Sequence, residues 1–170
     1  MIRTLLFAAS ALALTACVTT APPVGPVQTA GPATQDNWDA GNAAYLAWND
    51  GRRGWTTTAS GLQYRRVGLA RPQAVQPAAT DTVKVHYRGT FIDGREFDSS
   101  YSRNQPTEFP LNRVIKGWTE GVGLMRVGET FEFVIPAALA YGERWVGGDE
   151  LPPNSTLLFT VELLEVTPAA

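Results

Sequence analysis

Three stretches in the second half of the chain alternate apolar and polar residues. Over 83–91, Val83, Val85, Tyr87 and Phe91 fall on one face and Lys84, His86, Arg88 and Thr90 on the other. That period of two predicts an antiparallel strand with one buried face. Asp93-Gly94 follows as a turn. Phe131, Phe133 and Ile135 alternate with Glu132 and Val134 in a second strand. Leu157, Phe159, Val161 and Leu163 alternate with Leu158, Thr160, Glu162 and Leu164 in a third, longer one. A shorter apolar stretch, Leu62, Tyr64 and Val67, begins the β pattern, and 71–80, with Pro72 and Pro77, reads as loop. The period changes at Ile115, Trp118 and Val122, whose spacings of three and four put them on one helix face. Gly121 and Gly123 keep that helix short. The pattern predicts an α+β domain, an antiparallel sheet with one short helix over its apolar face.

Upstream, Trp38, Tyr45 and Trp48, with Leu46 beside them, suit a short helix over 37–50 capped by Asp36 or Asn37. Such a helix either packs on the main domain or serves as an arm for dimerisation or client binding. Residues 18–36 are rich in Pro, Ala, Thr and Gly and read as a tether. A semi-extended chain of this kind gains about 3 Å per residue.

Residues 1–16 have a short positive start at Arg3 and an apolar run over 5–14 that is too short to span a bilayer. Leu14-Thr15-Ala16-Cys17 resembles a bacterial lipobox, in which the Cys is acylated and becomes the new N-terminus. An ordinary signal peptide with a Cys near its cleavage site is the alternative. Several acyl chains anchor a protein more firmly than one. Val18 stands where an inner-membrane retention signal has Asp, which favours lipid anchoring to the outer membrane, facing the periplasm. The expected organisation is a lipoprotein signal peptide over 1–16, lipidated Cys17 and tether over 17–36, a helix and lead-in over 37–60, and the main domain over 61–170.

Composition narrows the chemistry. Hydrophobic residues make up 44% and charged residues 18% of the 170, enough for a packed core. A net charge of −2 with no basic stripe speaks against nucleic acid. One Cys and one His, His86, nearly exclude a Cys/His zinc site and allow no intramolecular disulfide. A Ser-His-Asp hydrolase lacks a GxSxG around any Ser, and no phosphate-binding glycine loop occurs. Asp149-Glu150 and Glu96/Asp98 do not make a convincing glycosidase pair. What remains is an ordered set of aromatic and apolar residues: Tyr87, Phe97-Asp98, Val114-Ile115, Trp118, Tyr141 and Phe159. Such a set is either plain core or an apolar pocket with a few polar tips.

The segments VHYRG, DGREFDSS, VIKGWTEG, MRVGE, IPAALAYG and LPPNSTLLFTVELL stand in this order. Together they resemble the FKBP-type peptidyl-prolyl cis-trans isomerases from about Gly61 to Val166. The TTASGLQY lead-in and preceding helix resemble the macrophage-infectivity-potentiator branch without its long stalk. The resemblance implies a highly twisted antiparallel sheet wrapped on one short helix, with the pocket between them. It implies a pocket of Tyr87, Phe97, Asp98, Val114, Ile115, Trp118, Tyr141, Leu151 and Phe159, with Trp118 as its floor. Ile115 would offer its backbone N–H and Tyr141 its hydroxyl, with Asp98 facing the amide. It implies no cofactor and no metal. Its partners would be proline-containing segments of exported proteins, with tacrolimus-like macrolides as a further ligand class. Three departures bear on specificity: Thr107 in place of an aromatic residue, Arg113 in place of an acidic one, and a longer loop over 143–151 carrying Trp145 and Asp149-Glu150. Three functions compete: a lipid-anchored isomerase, a weakly catalytic chaperone or peptide-binding lipoprotein using the same pocket, and a structural envelope lipoprotein.

Overall fold

The structure, a computed structural model, describes residues 34–147 and 150–169. The signal peptide, Cys17, most of the tether and Asp149 lie outside the described residues. In chain order the elements are α1 (Gln35–Asn49), β1 (Thr56–Thr57), β2 (Gln63–Val67), β3 (Thr82–Thr90), β4 (Glu96–Ser99), β5 (Thr107–Pro110), α2 (Lys116–Gly123), β6 (Thr130–Ile135) and β7 (Leu157–Thr167). Short 3₁₀ turns at Leu111–Arg113 and Ala137–Leu139 precede α2 and follow β6.

The strands form one seven-stranded antiparallel sheet in the order β1-β2-β6-β7-β3-β4. β3 pairs with β7 along its whole length. Its other edge is shared, with β5 taking Thr82–Val85 and β4 taking Arg88–Thr90. Bulges after Lys84 and after Gly89 shift the register and sharpen the local twist. The predicted alternation holds in β3 and β7: Val83, Val85, Val161 and Leu163 are fully buried while their neighbours are not.

α2 crosses the concave face and closes the core with Trp118 and Val122. Gly121 does more there than shorten the helix. A Cβ at Gly121 would lie 2.6 Å from the Phe133 ring, and one at Gly117 would collide with Ile135. The two glycines, four apart, let the helix backbone sit directly on β6, whereas Gly123 faces open space. α2 therefore approaches the sheet more closely than any side chain at either position would allow.

α1 lies on the outer face of the sheet and is packed there rather than projecting as an arm. Its N-cap is Thr34, whose hydroxyl accepts from the Asn37 N–H, so the cap falls before the Asp36 or Asn37 expected from sequence. Trp38 meets Phe91 edge to face with ring centroids 5.7 Å apart. The helix docks largely through buried amides. Asn42 accepts from the Thr156 N–H at 2.7 Å, and Asn49 donates to Gln63 at 2.8 Å. Val134, expected to alternate outward, is buried as well, because α1 covers that face.

Candidate active site

Between α2, the concave face and the loops after β6 opens a cleft of about 1160 Å³. All nine residues carried over by resemblance line it: Tyr87, Phe97, Asp98, Val114, Ile115, Trp118, Tyr141, Leu151 and Phe159. Each reaches it for a local reason. Tyr87 and Phe159 are inward positions of the period-two pattern in β3 and β7. Trp118 is on the inner face of α2 and is 5% exposed. Tyr141 follows the 3₁₀ turn at Ala137–Leu139, and Leu151 is held by a two-way backbone bridge to Val146.

The aromatic walls are edge-to-face pairs. Tyr87 and Phe159 each meet Trp118 near perpendicular with centroids 5.2 Å apart, and Phe97 meets Phe159 at 5.5 Å. Gly89 makes room for this, since a Cβ there would lie 2.7 Å from Phe97 and 2.8 Å from Phe159. Phe109 joins the wall, 5.3 Å from Trp118. The sequence pointed to it indirectly: Thr107 lines the cleft, and Phe109 is two residues further along the same strand, hence on the same face.

The polar edge is a closed triangle. The Tyr87 hydroxyl donates to Asp98 Oδ2 at 2.5 Å. Arg103 donates to Asp98 Oδ1 through Nη1 and to the Tyr87 oxygen through Nη2 at 2.9 Å. Arg103 was not anticipated; it stands in the turn after β4, where no periodicity points to it. Burial pushes the Asp98 carboxyl up, but the hydrogen bonds from Tyr87 and Arg103 and the guanidinium charge outweigh it and hold the group below its ordinary value. The Tyr141 hydroxyl is pushed up by burial and then by the negative charge of Asp98. Near neutral pH the cleft thus presents a fixed carboxylate and a protonated phenol.

Several donors at the cleft have no partner among the described residues, the Tyr141 hydroxyl included. Among the described residues the Ile115 N–H finds no acceptor, while its carbonyl accepts from the Trp118 and Thr119 N–H groups that start α2. The Trp118 indole N–H is buried without a partner among the same residues. The rim is charged, with Arg113 and Lys116 ahead of and within α2 and Glu143, Arg144 and Glu150 on the opposite loop. Trp145 does not line the cleft and is 53% exposed, whereas among the described residues of the longer loop Glu143, Arg144, Val146, Gly147, Glu150 and Leu151 do. His86 stacks on Tyr101 and bonds Ser100 on the other side of β3, away from the cleft. Among the described residues no cluster of His, Cys, Asp and Glu is placed to hold a metal ion.

A twisted antiparallel sheet closed by one short helix over an aromatic cleft defines an FKBP-like domain. The FKBP-type peptidyl-prolyl cis-trans isomerase model matches residues 73–164. The chain belongs to that family. It is 52% identical over 127 residues to the FKBP-type peptidyl-prolyl cis-trans isomerase FkpA of Aeromonas hydrophila, covering 74% of this chain and 46% of the relative. It is 51% identical over 122 residues to the FKBP-type 22 kDa peptidyl-prolyl cis-trans isomerase of Escherichia coli, covering 72% and 58%. Outer membrane protein MIP of Legionella longbeachae is 43% identical over 127 residues, covering 75% and 53%. The chain thus spans about half the length of the curated relatives it matches. The crystal structure of FkpA from Escherichia coli superposes with a TM-score of 0.74 at 43% identity, covering 79% of this chain and 62% of that one.

Proposed function

We propose that this protein catalyses cis-trans isomerisation of Xaa–Pro bonds in exported proteins, in the cleft between α2 and the sheet. The observation that carries the reading is an aromatic cleft edged by the Ile115 N–H and the Tyr141 hydroxyl, which have no partner among the described residues. Rotation about the amide must overcome a resonance barrier of about 18–20 kcal/mol. No bond is broken and no proton need move. In the twisted amide, resonance is lost and the carbonyl is less polar than in the planar forms. An apolar enclosure that strips water from the amide disfavours the planar forms relative to the twisted one. The Trp118, Tyr87, Phe97 and Phe159 rings grip the proline ring. The Ile115 N–H and Tyr141 hydroxyl hold carbonyls of the bound chain, fixing one side of the amide while the other turns. Asp98, locked by Tyr87 and Arg103, faces the amide as a fixed carboxylate. Tighter binding of the twisted form than of either planar isomer is the catalysis.

The same reading places the protein in the cell envelope, anchored through acylated Cys17, with the 18–36 segment as spacer. A relative named as an outer membrane protein supports this. Among the described residues no helix is long and apolar enough to cross a membrane. Cys17→Ser is expected to release the protein from the membrane fraction, and continued fractionation with membranes would refute the anchor.

The catalytic test is the rate of cis-to-trans conversion in short Xaa–Pro peptides. Tyr141→Phe removes one hydrogen bond, about 0.5–1.5 kcal/mol, and should lower kcat/KM roughly two- to tenfold. Asp98→Val should lower it further, because it also frees Tyr87 and Arg103. A folded protein that accelerates no peptide would overturn the isomerase reading. If that protein still bound unfolded chains at the cleft, it would be a peptide-binding chaperone.

A further inference from the structure

A second cavity, of about 230 Å³, lies on the outer face of the sheet. It shares only Phe159 with the isomerase cleft. Its floor comes from two cross-sheet rows of outward positions. Arg65 pairs in register with Glu132, Glu132 with Thr160, and Thr160 with Arg88. The next row pairs Val134 with Leu158 and Leu158 with Thr90. Its walls are Tyr45, Trp48 and Arg52, at and just beyond the end of α1, and Trp55.

The cations here are not equivalent. Arg65 is committed to Glu132, and Arg88 to Glu96 at 2.8 Å. Arg52 has no carboxylate partner among the described residues. It stacks 3.9 Å from the Trp48 ring centroid and donates through Nη1 to the neutral Asn49 amide oxygen at 2.9 Å. That amide is fully buried and is fixed in turn by Gln63. Arg52 is therefore a positioned cation, since a guanidinium engaged through one N–H keeps four for a ligand. Among the described residues the buried Trp55 indole N–H has no partner. A buried donor left unpaired is costly, so such donors in native proteins call for an acceptor. The Tyr45 hydroxyl is pushed up by burial and stays protonated as a further donor.

We propose that this cavity is a second binding site, for a monocarboxylate with an apolar body the size of one amino-acid residue. The carboxylate pairs with Arg52 and takes the free donors of Tyr45 and Trp55. The apolar body lies on Leu158, between Trp48 and Trp55. Charge sets the sign: of the four charged lining residues, the one carboxylate, Glu132, is already used by Arg65. Size sets the limit, because the volume is below the range of about 300–1,000 Å³ usual for drug-sized ligands. The proposal does not depend on the isomerase reading.

The test titrates the full chain with N-acetyl-L-phenylalanine and, separately, with its uncharged amide, following the indole N–H signals by NMR. The signal absent from Trp55→Phe belongs to Trp55. Saturable movement of that signal by the acid is expected, with the amide binding about tenfold or more weakly. Arg52→Gln should reduce affinity for the acid by a similar factor while the isomerase rate stays unchanged. Trp55→Phe, which removes the N–H and keeps an aromatic ring, should also weaken binding and guards against a misfolded Arg52 variant. Equal binding of acid and amide, movement confined to the Trp118 signal, or no movement at all would each overturn the assignment.

Discussion

Replacing Gly121 by Ala tests whether the close seating of α2 on the sheet shapes the cleft. The new Cβ would stand 2.6 Å from the Phe133 ring. Ordinary carbon contacts are about 3.5–4.0 Å. The ring and helix must therefore separate by about 1 Å. Overpacking of this kind costs typically 1–3 kcal/mol. Against it stands the better helix propensity of Ala, up to about 1 kcal/mol. The expected net loss is roughly 1–2 kcal/mol, read as a lower midpoint in urea with an unchanged slope. Gly123→Ala is the internal control. It places the same methyl two residues along the same helix, where nothing lies within 4 Å. It should be neutral or slightly stabilising. Because Ile115 and Trp118 ride on the start of α2, Gly121→Ala should also lower kcat/KM, whereas Gly123→Ala should not. Equal stability changes in the two variants would refute the reasoning.

Further outcomes follow from the charged groups. The Asp98 carboxyl sits below its ordinary value, so its ion pair stabilises the fold above the unfolded Asp value of about 4. That contribution is lost as pH falls through the lower folded value, and the Asp98→Val variant should lack this acid limb in a stability profile. Tyr87 and Tyr141 are both raised, chiefly by burial, so their contribution is intact below about pH 10 and is lost as pH rises through the folded values. A pH–rate profile should therefore be flat through neutrality, and a bell centred near pH 7 would contradict this site. Glu129 is 3% exposed and accepts from the Arg71 and Arg126 backbone N–H groups at 2.9 and 3.0 Å. Glu129→Ala strands both donors and should cost about 2–4 kcal/mol in urea unfolding. A change below 1 kcal/mol would mean that water replaces the carboxylate.

The alternation in β3 and β7 was legible because each residue's facing is fixed by the pleat, whatever the strand pairs with. The same holds for the shared face of Ile115, Trp118 and Val122, which a helix sets locally. Ordered blocks of sequence then pointed to nine residues, and the fold brings all nine to one cleft. Contacts made only by pairing distant segments were not legible. Arg103 reaches Asp98 and Tyr87 because β4 pairs with β3 and the turn after β4 starts opposite Tyr87. Gly121 reads as a helix breaker in one dimension and becomes a packing surface only when β6 lies beneath it. Asn42 and Asn49 look like solvent-facing helix residues, yet both are buried because their amides pair with Thr156 and Gln63. Sequence by itself determined the local periodicities, and through them the layers and the aromatic lining. The tertiary structure decided which polar groups are satisfied and which are left open, since that depends on partners from 14 to 114 residues away in the chain.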